Sequence, residues 1–99
     1  MAYQIAWSPS ARWDLLDLKD YISMDSPEIA KQFISSLFSA VERLGDFPQS
    51  GRVVPEFDDE QLREIIRKPC RIVYRLNPDK STVEIVRVWH AARGIPGIY

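Results

Sequence analysis

Apolar positions recur along this chain with two different periods, and the change from one to the other divides it into a helical first half and a sheet-forming second half. "AYQIAWS" is short, apolar and aromatic and ends at a turn signal, which predicts a strand over residues 3–7. Ser8 then precedes Pro9, an N-cap followed by a proline at the first helical position, where a missing N–H does no harm. Ala11, Leu15, Leu18 and Ile22 follow at spacings of four, three and four and form one stripe; Asp14, Asp17 and Asp20 lie off it and read as solvated. The signal repeats at Ser26-Pro27-Glu28, where the acid suits the positive end of a helix dipole. Ala30, Phe33, Leu37, Val41 and Leu44 make the second stripe, thickened by Ile34 and Phe38, and Gly45 supplies the stop.

Beyond Gly45 the period changes. "DFPQSGRVVPEFDDEQ" reads as a loop, "LREIIRK" as a strand, "CRIVYRL" as another after Pro69, "NPDKS" as a turn and "TVEIVRVWH" as a last strand rich in β-branched residues. In "RIVYRL", Ile72, Tyr74 and Leu76 point one way, toward the helices, while Arg71, Val73 and Arg75 face outward. Alternation does not assign the last strand: Val83, Ile85, Arg87 and Trp89 share one face, Glu84, Val86, Val88 and His90 the other, and both sets are largely apolar. The order is β-α-α-β-β-β, an α+β fold with an antiparallel sheet and a helical hairpin packed on one face. Ninety-nine residues support one domain, residues 1–99, and eleven aromatics suffice for its core.

Charge changes the picture more than composition does. The net charge is −1, yet residues 1–62 carry five Lys/Arg against eleven Asp/Glu and residues 63–99 carry eight against three, balances of −6 and +5. Such a chain can turn a basic face to a polyanion and stay soluble; the plainer reading is a mixed-charge surface. No apolar run is long enough to cross a bilayer, and "MAYQIAWSPS" lacks the basic start and apolar stretch of a secretory signal. A single cysteine, Cys70, excludes an intramolecular disulfide and fits a reducing cytoplasm, where the protein is expected. One Cys and one His cannot build a zinc site, so neither metal nor cofactor is expected.

The helical hairpin, the loop "FPQSGRVVPEF", the strand "CRIVYRL" and the ending "VEIVRVWHAAR" together resemble the RelE/ParE superfamily, the small toxins of bacterial type II toxin–antitoxin systems often called plasmid stabilisation proteins. The resemblance runs over nearly the whole chain; each motif alone is loose, and their order and spacing carry it. It implies a cognate antitoxin, a heterotetramer or larger complex with it, and growth arrest by one of two routes. ParE-like members block DNA gyrase by binding, and the two long helices, the "FPQSGR" turn and "VEIVRVWHAAR" look closer to that branch. RelE-like members enter the ribosome and cleave mRNA without a metal. A third reading is an interaction module that answers only to its antitoxin.

RNA cleavage without a metal requires an acceptor for the 2′-OH proton, a donor for the leaving 5′ oxygen and cations for the phosphate. By the resemblance, Arg71 sits where the RelE branch keeps a phosphate-binding arginine, a fork suited to two phosphate oxygens, and His90 sits where some RNase members keep a histidine. Arg67, Lys68 and Arg93 would add phosphate or target contacts, Glu56 is a candidate base, and Tyr99 a further polar group. Two departures count against cleavage: the aromatic that follows the histidine in those members is Ala91, and the lysine cluster of RelE is thinned to Arg67 and Lys68. The residue-level alternatives remain: Arg71 as an exposed strand residue, His90 as a strand-end histidine bonded to backbone, and Trp7, Trp13 and Trp89 as core or partner-facing rings rather than base-stacking ones.

Overall fold

The computed structural model describes residues 2–90. The elements are β1 (Gln4–Trp7), α1 (Pro9–Ser23), α2 (Pro27–Asp46), β2 (Arg52–Val53), β3 (Leu62–Arg67), β4 (Cys70–Asn77) and β5 (Thr82–His90), with a 3-10 turn at Pro78–Lys80 before β5. Both Ser-Pro signals act as the sequence predicts: Ser8 Oγ accepts the Ala11 N–H at 3.0 Å and Ser26 Oγ the Ile29 N–H at 3.3 Å. Gly45 does not end its helix. α2 runs on to Asp46, and Gly45 lies where β1 crosses: the Tyr3 N–H donates to its carbonyl at 2.7 Å, and a Cβ would stand 3.1 Å from the Tyr3 carbonyl oxygen.

The helices lie on one face of a five-stranded sheet of order β1-β5-β4-β3-β2. β2 to β5 pair antiparallel, but β1 runs parallel to β5, so the sheet is mixed. A parallel neighbour cannot follow through a tight turn: the helical hairpin carries the chain from β1 at one edge to β2 at the other, and the antiparallel run back brings β5 alongside β1. Alternation predicts faces, not the sense of a strand met across the sheet, and the two-residue β2 is too short to show any period inside its loop.

The principal core lies between helices and sheet: Ala11, Leu37, Val41 and Leu44 against Ile72, Tyr74, Leu76, Val83, Ile85 and Val88. The expected side of β4 is therefore the observed one. β5 resists an alternation argument for a concrete reason. Val73 pairs with Arg87 but Tyr74 with Ile85, so Val86 is an extra residue, a β-bulge. Val83 and Ile85 before it and Val88 after it face the helices, whereas Val86 joins Val54, Leu62 and Val73 in a second small cluster on the other face, covered by Phe57.

Tyr74 explains the "FPQSGR" turn. Fully buried, its Oη accepts the Gly51 N–H at 2.9 Å and donates to the Pro48 carbonyl at 2.8 Å, tying the start of the β2 loop to the middle of the sheet.

Candidate functional site

The outward face of β3 and β4 carries a chain of ion pairs built from residues far apart in sequence. Glu64 is the centre, its side chain without solvent exposure. One oxygen accepts Arg71 Nε at 2.6 Å and the other Arg52 Nε at 2.6 Å. The Arg71 fork then turns to Glu56, with Nη1 to Oε2 at 3.0 Å and Nη2 to Oε1 at 2.8 Å. Arg71 is 11% exposed and Glu56 28%, while Arg52, at 61%, lies in water. Two cations and two carboxylates cancel, which is how a charged group stays in a largely dry place.

These contacts set the chemistry. The hydrogen bonds from Arg71 first, and a backbone bond second, lower the Glu56 carboxyl from its ordinary 4.5 to about 2. A carboxylate of that acidity, closed on a guanidinium, is a poor base. Arg71 is pushed above the ordinary arginine range, chiefly by Glu56 and then by Glu64. Because the folded Glu56 is the stronger acid, its contribution to stability is complete above its unfolded value of about 4.5 and disappears as pH falls through its folded one. The difference in melting temperature between the parent and Glu56→Gln should therefore be constant above about pH 5 and shrink steadily toward pH 2.

His90 belongs elsewhere. It pairs across the ladder with Cys70, whose side chain lies in the helix-side core, and it lines a cleft of ≈340 Å³ with Asp14, Asp17, Leu18, Tyr21 and Val88. Arg71 is paired with Trp89 on the opposite face, one residue along each strand. The structure therefore does not bring Arg71 and His90 together: the sheet stands between them. Cys70 is buried and burial pushes its thiol up, so it reads as structural.

Arg67 and Lys68 are exposed at the β3–β4 turn. Arg67 shares a second cleft, ≈360 Å³, with Arg43, Arg52, Phe47 and Ile66. Arg93 and Tyr99 lie outside the described residues. Trp7 meets Phe38 with ring centroids 5.3 Å apart, Trp89 is buried with the Arg87 guanidinium 4.7 Å from its ring centroid, and Trp13 is 67% exposed. Among the described residues no group of three or more His, Cys, Asp or Glu could hold a metal ion, and no helix is long and apolar enough to cross a membrane.

Three residues of these networks escape a reading of the sequence. Asp14 is not solvated: its carboxylate accepts Arg87 Nε at 2.7 Å, Arg87 Nη2 at 2.8 Å and the Val88 N–H at 2.9 Å. β1 ends opposite Ile85, and beyond that point the start of α1 takes over the edge of β5, with Ser8 Oγ donating to the Val86 carbonyl and Asp14 accepting from Val88. Arg52 and Glu64 are the others; the available signal for Glu64 was an acid whose same-face strand neighbours in "LREIIRK", Leu62 and Ile66, are apolar.

A large apolar surface remains on the helices. A groove of ≈460 Å³ is lined by Trp7, Leu15, Leu16, Ile34 and Phe38 together with Arg12 and Lys19, and Leu16 and Phe38 are exposed in it. Monomeric proteins seldom leave so much apolar surface in one region without a partner for it.

Residues 5–95 match the sequence profile described as the ParE toxin of the type II toxin–antitoxin system parDE. A relative from Caulobacter vibrioides named Toxin RelE2 is 33% identical over 90 residues, 91% of this chain and 97% of that protein. Among solved structures, the chromosomal ParDE toxin–antitoxin system of P. aeruginosa superposes with a TM-score of 0.71 at 21% identity, over 90% of this chain and 96% of that one. The RelBE2 toxin–antitoxin complex of Mycobacterium tuberculosis gives 0.66 at 22%, over 91% and 99%. At those identities the two structures speak to the fold alone.

Proposed function

Since the chain belongs to the ParE toxin family of type II toxin–antitoxin systems, we propose that it arrests bacterial growth by binding DNA gyrase, without cutting a substrate, and that a cognate antitoxin neutralises it. The observation that carries the non-enzymatic half is the placing of Arg71 and His90 on opposite faces of the sheet. RNA cleavage needs a proton-transfer group and a phosphate-binding cation within reach of one phosphodiester. Here the histidine faces α1 and the arginine fork rests on a carboxylate. A toxin that traps its target needs no such convergence, only a surface.

Two surface features support that reading. The helix groove, apolar but lined also by Arg12 and Lys19, suits an amphipathic antitoxin segment with acidic flanks. Arg67, Lys68 and the cleft with Arg43 and Arg52 offer a basic region for gyrase-bound DNA, to which Arg93 would add.

The direct test is a supercoiling assay. Purified chain added to gyrase and relaxed plasmid should abolish supercoiling at a few-fold molar excess, and antitoxin added beforehand should restore it. Undisturbed supercoiling, with message cleaved on translating ribosomes, would instead establish the RelE-like endoribonuclease reading. Inertness in both assays would leave an antitoxin-binding module.

A further inference from the structure

We propose that the cleft between the end of α2 and the end of β3 is a docking site for an acidic, extended segment of a partner protein, which lies beside Ile66 as an added strand. The docking does not rest on the choice of target made above. Its consequence does: a segment seated there covers the arginines offered to gyrase-bound DNA, so the two occupants exclude each other.

The sheet edge is unfinished at this place. β2 pairs with β3 at only two positions, Val53 with Arg63 and Arg52 with Glu64, yet β3 runs on to Arg67. Ahead of Arg52 the chain turns away, and the Ser50 N–H donates to the Phe47 carbonyl at 3.0 Å instead of extending the ladder. Backbone groups along a strand point alternately to one neighbour and the other. The Val54 N–H donates to the Leu62 carbonyl at 3.1 Å, so Leu62, Glu64 and Ile66 turn their backbone groups to this edge. Ile66 is the one that β2 does not reach. Among the described residues no strand lies beside it there, and its carbonyl meets only Nη1 of Arg67, at 3.5 Å.

The cleft on which this edge opens, ≈360 Å³, has the chemistry to select its occupant. Phe47 and Ile66 give it exposed apolar surface, and Arg43, Arg52 and Arg67 give it positive charge. Glu64, the carboxylate in the lining, already has one oxygen on Arg52 and the other on Arg71. Among the described residues Arg43 and Arg67 form no ion pair, so their charge is open to a partner. Ile65 packs on the helix-side core, so Arg67 shares that side with Arg43 and Phe47, whereas Ile66 and Arg52 share the outward one. Each face of an added strand therefore meets an apolar side chain and at least one cation. A DNA backbone would use the cations and leave the apolar pair and the strand edge idle. An extended acidic peptide uses all three, with main-chain bonds for affinity and side-chain contacts for selection.

Fluorescence anisotropy tests this, with the full chain titrated into a labelled peptide in which glutamates flank a central pair of valines. Phe47→Ser should weaken binding about tenfold, as loss of an apolar anchor does. Arg43→Gln combined with Arg67→Gln should weaken it at least as much and flatten its salt dependence. Methylating the backbone nitrogens of the two valines should abolish binding, and in the parent the unmodified peptide should slow amide hydrogen exchange at Ile66. Absence of binding at low salt would overturn the proposal. So would equal affinity for parent and variants, each folded by thermal melt, or an Ile66 amide that exchanges no more slowly with peptide bound. A thymidine oligonucleotide that binds more tightly than the peptide, and loses affinity in the same arginine variant, would assign the cleft to nucleic acid instead. Because the titration contains no gyrase, its failure strikes the docking and not the proposed target, and a failed supercoiling assay does the reverse.

Discussion

Gly51→Ala should lower the unfolding free energy by about 3 kcal/mol, at the upper end of what overpacking a well-filled site costs. A Cβ at this position would stand 2.5 Å from Tyr74 Oη, 2.6 Å from the Glu64 carbonyl oxygen and 2.8 Å from Tyr74 Cε1. None of these can give way cheaply. The Tyr74 ring is buried in the principal core and its hydroxyl is tied to both Gly51 and Pro48; the Glu64 carbonyl is part of the sheet. For a domain with the usual 5–15 kcal/mol to lose, the change is a large fraction of the whole. Urea unfolding followed by far-UV circular dichroism measures it. Adding Tyr74→Phe should recover little, because the hydroxyl is only one of the three obstacles. A midpoint equal to the parent's would mean that the turn is not packed on Tyr74 as described.

Glu64→Ala should cost about as much or more, roughly 3–5 kcal/mol, the range for breaking a buried ion pair from one side. The loss falls unevenly on its two partners. Arg52, mostly in water, simply rehydrates, so Arg52→Ala should change stability by less than about 1 kcal/mol. Arg71 cannot rehydrate as easily and would keep only Glu56. A double-mutant cycle is the discriminating measurement: once Arg71 is gone, removing Glu64 should cost markedly less, because the two act as one unit. Additive losses would show that the pair is coincidental and that Glu64 matters for packing alone.

What could be read from the sequence follows from how local each feature is. The Ser-Pro caps and the 3.6-residue stripes are local, and α1 and α2 begin where those signals place them. The alternation in β4 is local too, and it sorted Ile72, Tyr74 and Leu76 from Arg71 and Val73. The features that were missed join distant residues. Asp14 lies off its helical stripe, yet it is the group that completes the edge of β5 where β1 ends, a fact about the length of a strand elsewhere in the chain. The Val86 bulge shifts the faces of β5 by one residue and makes both sides look apolar. Arg71 was legible as an outward-facing cation, but its partners were not: Glu56 lies 15 residues upstream in an aperiodic turn, and Glu64 reaches it diagonally across a register that the sequence does not state. For the same reason the sequence does not show that Arg71 and His90 lie on opposite faces, which follows from the pairing of β4 and β5.

On the reading proposed above, this toxin stops growth by holding its target rather than by cutting RNA. The most direct test of that reading is to induce the chain alone in a bacterium and map the 5′ ends of an abundant translated mRNA by primer extension during the arrest. Binding without cleavage should give growth arrest with the message intact, alongside loss of plasmid supercoiling. Discrete new ends within the reading frame that vanish in Arg71→Ala or His90→Ala would contradict it, and would mean that groups on opposite faces of the resting sheet act together on one phosphodiester.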